Sequence, residues 1–131
     1  MNMQSDILLL RQIHHSWVCE GRITSQAFRP TPKDAGKLSV SNGAKISPQE
    51  AWEKHTKRFT SEGTMAVTVE ESEQQSLVVE PNPLPDQDEH VLLDFVNLIT
   101  PNKTESASKI KSASKMLSTI ANKRGWLYKK P

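Results

Sequence analysis

Four histidines, His14, His15, His55 and His90, carry most of the reactive potential of this 131-residue chain. Imidazole titrates near neutrality and ligates metals readily, so His14, His15 and His90 could gather as a general-base or metal set. Adjacency works against the full trio: on a strand His14 and His15 point to opposite faces and cannot both reach one centre. His55 stands at helical spacing from Trp52 and reads as a packing residue. A second cluster, Arg22, Thr24, Ser25 and Gln26, lies beside a turn, and Arg29 and Lys33 extend it along a loop. Guanidinium forks and hydroxyls complement an oxyanion, so Arg22, Thr24, Arg29 and Lys33 form an anion-binding candidate. Together His14 or His15, Arg22, Ser25 and His90 would suit a small transferase or hydrolase acting on a nucleotide-like ligand.

Other chemistries lack their residues. The chain has no glycine-rich phosphate loop, no Gly-x-Ser-x-Gly elbow, no His-Glu-x-x-His helix and no paired-carboxylate spacing, which argues against standard nucleotide hydrolases, serine hydrolases and zinc proteases. Cys19 is the single cysteine, so neither an intrachain disulfide nor a cysteine-rich zinc site can form, and it is expected as a small buried hydrophobe. No metal and no cofactor is expected.

Charge supplies the third candidate. The net charge of +2 hides three blocks: residues 1–61 hold nine Lys/Arg against five Asp/Glu, residues 62–96 hold nine acids and no Lys/Arg, and residues 97–131 hold eight bases and one acid. A basic segment of this kind either folds back on the acidic block or meets an anionic partner. Lys109, Lys111, Lys115, Lys123, Arg124, Lys129 and Lys130, with Trp126 and Tyr128 interleaved, fit backbone contact and base stacking on DNA or RNA, or the surface of a protein partner.

The elements that must hold these residues are short. Residues 6–10 read as a strand or a first helical turn, residues 22–28 as a strand after the turn at Glu20 and Gly21, and residues 38–40 as another strand after a proline-containing loop. Ser47, Pro48 and Glu50 spell a capping box with proline at the first helical position, which predicts a helix over 48–59 with Ala51, Trp52, His55 and Phe59 on its buried face. Strands are expected over 64–69 and 77–80, one or two helical turns over 70–75, and an extended linker over 81–85. Residues 90–96 read as a central strand, apolar on both faces. A helix capped by Thr104 runs to 122 or 123, stopped by Gly125, with Ala107, Ile110, Ala113, Leu117, Ile120 and Ala121 on one side and lysines on another.

The block of Ile13 to Trp17, Gly21 to Asp34 and Leu38-Ser39-Val40, closed by His90-Val91-Leu92-Leu93, resembles a group of small bacterial proteins with the same order of elements. That resemblance covers residues 11–96 and implies a bacterial setting. A looser likeness is to compact ADP-ribosyltransferase-like toxins, which place an arginine or histidine on an early strand and a serine or threonine on a later one. Only 35% of residues are apolar and 5% aromatic, so the core is small. The reading is an α+β fold: a mostly antiparallel sheet of four to six short strands with one internal helix over 1–99, then an amphipathic basic helix and tail over 100–131. The longest apolar run, Ile7 to Leu10, is too short for a membrane span or a signal-peptide core. The leading functional expectation is a cytoplasmic, non-enzymatic accessory subunit of a bacterial multi-component system, meeting a protein partner, DNA or RNA through the basic helix and no membrane; the transferase or hydrolase is the alternative.

Overall fold

Side chains alternate between two covered faces along Leu8–Gln12 (β1), and that cover selects a strand over a helical turn: Leu9 is buried in the main core and Leu10 in a smaller one across the sheet. In the computed structural model, which describes residues 3–31 and 35–131, the elements continue as Val18–Cys19 (β2), Arg22–Ile23 (β3), Lys37–Asn42 (β4), Pro48–His55 (α1), Gly63–Thr68 (β5), Val69–Gln74 (α2), Val78–Pro81 (β6), His90–Asp94 (β7), Lys103–Arg124 (α3) and Tyr128–Lys129 (β8). Six strands form one sheet in the order β6-β7-β4-β1-β5-β8, and every pairing in it is antiparallel. The α+β class and the mostly antiparallel sheet are as the sequence indicates. No helix among the described residues is long and apolar enough to cross a membrane.

Several local expectations need correction. Residues 22–28 are not one strand: β2 and β3 form a two-residue hairpin through Glu20 (φ 53°) and Gly21 (φ 78°), and Ser25–Phe28 then winds into a 3₁₀ helix. The winding carries Ala27 and Phe28 into the core together, which strict alternation would not allow. Strand β7 is one in from the sheet edge rather than central, and it buries Val91 and Leu93 on one face only. Pro81 belongs to β6, an edge strand, where a missing donor costs no ladder bond. Helix α1 keeps its capping box but ends at His55, leaving Phe59 64% exposed instead of packed. Cys19 is exposed.

Helix α3 starts two residues earlier than read, with Asn102 rather than Thr104 as cap, and Gly125 (φ 87°) stops it. Ala113, Leu117 and Ala121 are buried in the same core as Leu9, Phe28, Leu38 and Phe95, so residues 100–131 share one packing unit with 1–99. Ala107, expected on the apolar side, is exposed, while Ser106, Ser114 and Ser118 are buried. Their hydroxyls are satisfied by main-chain carbonyls, Ser114 by Ile110 (2.8 Å) and Ser118 by Thr24 (3.0 Å). Small side chains let α3 lie close against the Ser25–Phe28 turn. Asn122 then clamps β3, accepting from the Ile23 N–H (3.0 Å) and donating to its carbonyl (2.9 Å).

Candidate functional site

Strands β1 and β4 pair only at Leu9 with Asn42 and Leu10 with Ser41, although β1 stays on β5 as far as Gln12 and β4 stays on β7 back to Lys37. Past Leu10 the two strands part. Arg11 spans the split, donating from Nε to the Ala27 carbonyl (2.8 Å) and from Nη1 to the Ser39 carbonyl (2.9 Å), so a strand carbonyl left without a ladder partner is satisfied by a guanidinium. The Arg11 guanidinium also lies over the Trp17 ring, 5.1 Å from its centroid.

A cavity of about 440 Å³ opens at this split, lined by residues of β1, β4, the end of α1 and the loop before β7. Three of the four histidines line it: His14, His55 and His90. His90 follows from strand register. It stands opposite Ser41, and Ser39, two residues along β4, shares that face as its diagonal neighbour. The Ser39 hydroxyl is 3.1 Å from His90 Nε2, and His90 Nδ1 is 2.9 Å from the Asn82 carbonyl. A carbonyl only accepts, so Nδ1 holds the ring proton and Nε2 is left to accept from the serine. The exposed Ser39 hydroxyl, a basic ring nitrogen and an orienting carbonyl thus form one chain.

His14 caps the 3₁₀ turn His15–Trp17, its Nδ1 accepting from the Ser16 N–H (3.1 Å), which leaves Nε2 as the ring's donor. It is on a turn and not a strand, so the expected divergence of His14 and His15 does not arise: their rings lie 4.2 Å apart, yet His15 does not line the cavity. His55, read as packing, lines the cavity and contacts Phe59 (centroids 5.1 Å apart). Burial holds its pKa below the ordinary histidine value, and the Arg11 charge lowers it further, against a hydrogen bond at the Thr60 main chain. Among the described residues no aspartate or glutamate lines the cavity, and Arg11 brings a permanent positive charge to its wall.

The other candidates disperse. Arg22 and Ser25, on the hairpin and the turn after it, do not reach the cavity. Arg29, with Gln26 and Thr31, lines a separate cavity of about 810 Å³ that Arg22 and Thr24 do not line, and Lys33 lies outside the described residues. Thr24 is committed through its backbone, whose N–H donates to the Trp17 carbonyl (2.8 Å). Among the described residues no three His, Cys, Asp or Glu side chains are placed to hold a metal ion.

The basic segment is partly answered from within. Arg124 makes a two-pronged bridge to Glu71 (both 2.9 Å), and Lys130 meets Glu62 (2.7 Å), each pair joining the basic and acidic blocks. Burial pushes the Glu71 carboxyl up, but the Arg124 fork and the Thr68 main chain outweigh it and hold the group below the usual carboxylate range. Lys109 pairs with Glu105 of its own helix (3.2 Å). Tyr128 is in β8, paired with Thr64, and Trp126 packs on the core with Lys129 above its ring. Lys111, Lys115 and Lys123 are exposed on α3, and no carboxylate among the described residues bridges them. Sequence reasoning missed Ser39, Arg11 and His55. The alternation Leu38-Ser39-Val40 does signal an outward hydroxyl, but only strand pairing sets it beside His90. Comparison with protein-family models, curated proteins and solved structures finds no match, so both resemblances stand on their motif residues alone.

Proposed function

We propose that the chain is a small transferase or hydrolase whose reaction centre is the cleft between β1 and β4, with Ser39 as nucleophile and His90 as base. The observation that carries this reading is the hydrogen-bonded chain from Ser39 Oγ through the His90 ring to the Asn82 carbonyl at the open edge of a cavity. A serine hydroxyl is weakly nucleophilic alone and is activated by an adjacent base that a third group orients. Ser39 Oγ attacks the electrophilic centre of an ester while its proton passes to His90 Nε2. The bond to the leaving oxygen breaks, and that oxygen keeps the electron pair and takes the proton from His90. Water, deprotonated by the same ring, then releases the group and restores the serine; a different acceptor in place of water makes the reaction a transfer. We assign the setting to the cytoplasm, where an exposed thiol such as Cys19 stays reduced.

Diisopropyl fluorophosphate, which phosphorylates activated serines, tests this directly. Mass spectrometry should find one adduct on Ser39, and His90→Ala should slow its formation at least about a hundredfold, the low end of what a positioned base contributes. Labelling spread over several serines, or unchanged in His90→Ala, removes the reaction centre.

A second reading rests on Lys111, Lys115 and Lys123, which no carboxylate among the described residues bridges. These three, without Trp126 and Tyr128, supply an accessory contact to a nucleic-acid backbone or an acidic protein partner. Retention on single- and double-stranded DNA or RNA should fall steeply with salt and disappear when all three become Glu. Retention that survives the substitution rules the helix out as the contact.

A further inference from the structure

We infer that the cleft between β1 and β4 takes an uncharged carboxylic ester that carries an aromatic ring, with the ring held by the side chains of Trp17 and Phe59. This rests on the cleft being the reaction site. Four rings line its cavity from two places in the chain: His14 and Trp17 from the turn after β1 (centroids 5.8 Å apart), and His55 and Phe59 from the end of α1 and the turn beyond it (5.1 Å). The aliphatic lining residues, Leu10 and Val40, are buried at 1% and 3% exposure, so the apolar surface that a ligand meets is that of the rings. Phe59 keeps 64% of its surface exposed, the most of any large apolar side chain described. On such an uncovered ring another ring packs edge-to-face or offset and gains more than the area alone gives.

The wall favours a ligand without charge. Its lining is more apolar than polar, and burying an ionised group against such a surface costs far more than burying a neutral one. Arg11 already serves the wall itself: Nε and Nη1 donate to the Ala27 and Ser39 carbonyls, and the guanidinium lies over the Trp17 ring. Burial favours the neutral form of the His55 ring, so it too meets a ligand as an uncharged aromatic surface. Ser41 and Gln87 add a hydroxyl and an amide to the same wall, neutral groups that can donate to an ester oxygen. At about 440 Å³ the cavity lies within the usual range for a small ligand.

Ligand-observed NMR titration of the full-length Ser39→Ala chain, which lacks the nucleophile, scores binding apart from reaction. Three methyl esters are compared: methyl benzoate, its saturated counterpart methyl cyclohexanecarboxylate, and monomethyl terephthalate, which adds a carboxylate to the ring. A merely apolar cavity favours the saturated ring, which has the larger apolar surface. Methyl benzoate should instead bind at least about threefold tighter than the saturated ester and at least about fivefold tighter than the terephthalate. Phe59→Leu, which keeps an apolar side chain but removes the ring, should weaken methyl benzoate at least about threefold, hold the saturated ester within about twofold and leave the melting temperature unchanged. The saturated or the charged ester binding as tightly as methyl benzoate, an affinity unaltered by Phe59→Leu, or no binding of methyl benzoate overturns the assignment. A Ser39 adduct in the natural chain without methyl benzoate binding defeats this ligand class alone; binding with an inert Ser39 upholds the ligand class and defeats the reaction centre alone.

Discussion

Arg11 shows how one side chain settles several features at once. It fills the gap where β1 and β4 separate, satisfies the Ser39 carbonyl that would otherwise face that gap, stacks on Trp17 and raises the potential around His55. The pH consequence belongs to His55. Its folded pKa is depressed, so the folded form prefers the neutral ring, and the stability this represents is complete above the unfolded value of 6.5 and is lost as pH falls below it toward the folded pKa. Urea midpoints at about pH 7.5 and about pH 5.5 should therefore fall more for the natural chain than for His55→Gln. Parallel falls would mean that His55 titrates alike in both states.

Elements here begin with strong caps and end on tertiary contacts. Both short helices open with complete capping boxes: Ser47 with Glu50 for α1, and Thr68 with Glu71 for α2. Six- and eight-residue helices have too few turns to hold themselves, so satisfied amide donors matter more than in a long helix. Ser47→Ala should cost about 1 kcal/mol in chemical denaturation, and Ser47→Asp should recover most of it. Equal stability of all three would show that Thr64, whose hydroxyl donates to the Pro48 carbonyl (3.0 Å), holds the helix start instead. Strand β8 depends on the opposite kind of detail. At Gly63 (φ 154°) a Cβ would collide with the Tyr128 carbonyl and lie 2.9 Å from the Trp126 ring, so only glycine admits the last strand.

At the scale of the whole molecule, the charge asymmetry along the chain closes partly on itself. Two bridges join the acidic middle to the basic end, while the α3 stripe of Ala113, Leu117 and Ala121 closes the core from one side. The basic segment is thus a wall of the fold on one face, with the exposed Lys111, Lys115 and Lys123 on the other. Deleting residues 100–131 should give a chain without cooperative unfolding, because it strips the cover from Leu9, Phe28 and Phe95 and removes β8 from the sheet. Leu117→Ala, made in the full chain, should cost about 2–5 kcal/mol and supplies a graded form of the same measurement. A truncated chain that melts cooperatively near the full-length temperature would make the segment an appendage.

Local chemistry alone was enough to set the α1 start, the glycine stop of α3, the Glu20-Gly21 turn and the α+β class, because caps, turns and side-chain alternation are decided within a few residues. The candidate site was legible only in pieces: His14 and His90 could be named, but Ser39 looked like one more outward serine and His55 like helix packing. Their roles depend on register. A β4–β7 pairing sets Ser39 diagonal to His90 across 51 residues of chain, and the early end of α1 turns His55 and Phe59 toward a cleft that exists only because β1 and β4 part. The same holds for the terminal cations. Their number was plain from the sequence, whereas which ones meet a carboxylate was decided by packing, since Arg124 and Glu71 stand 53 positions apart in the chain and only folding brings them together.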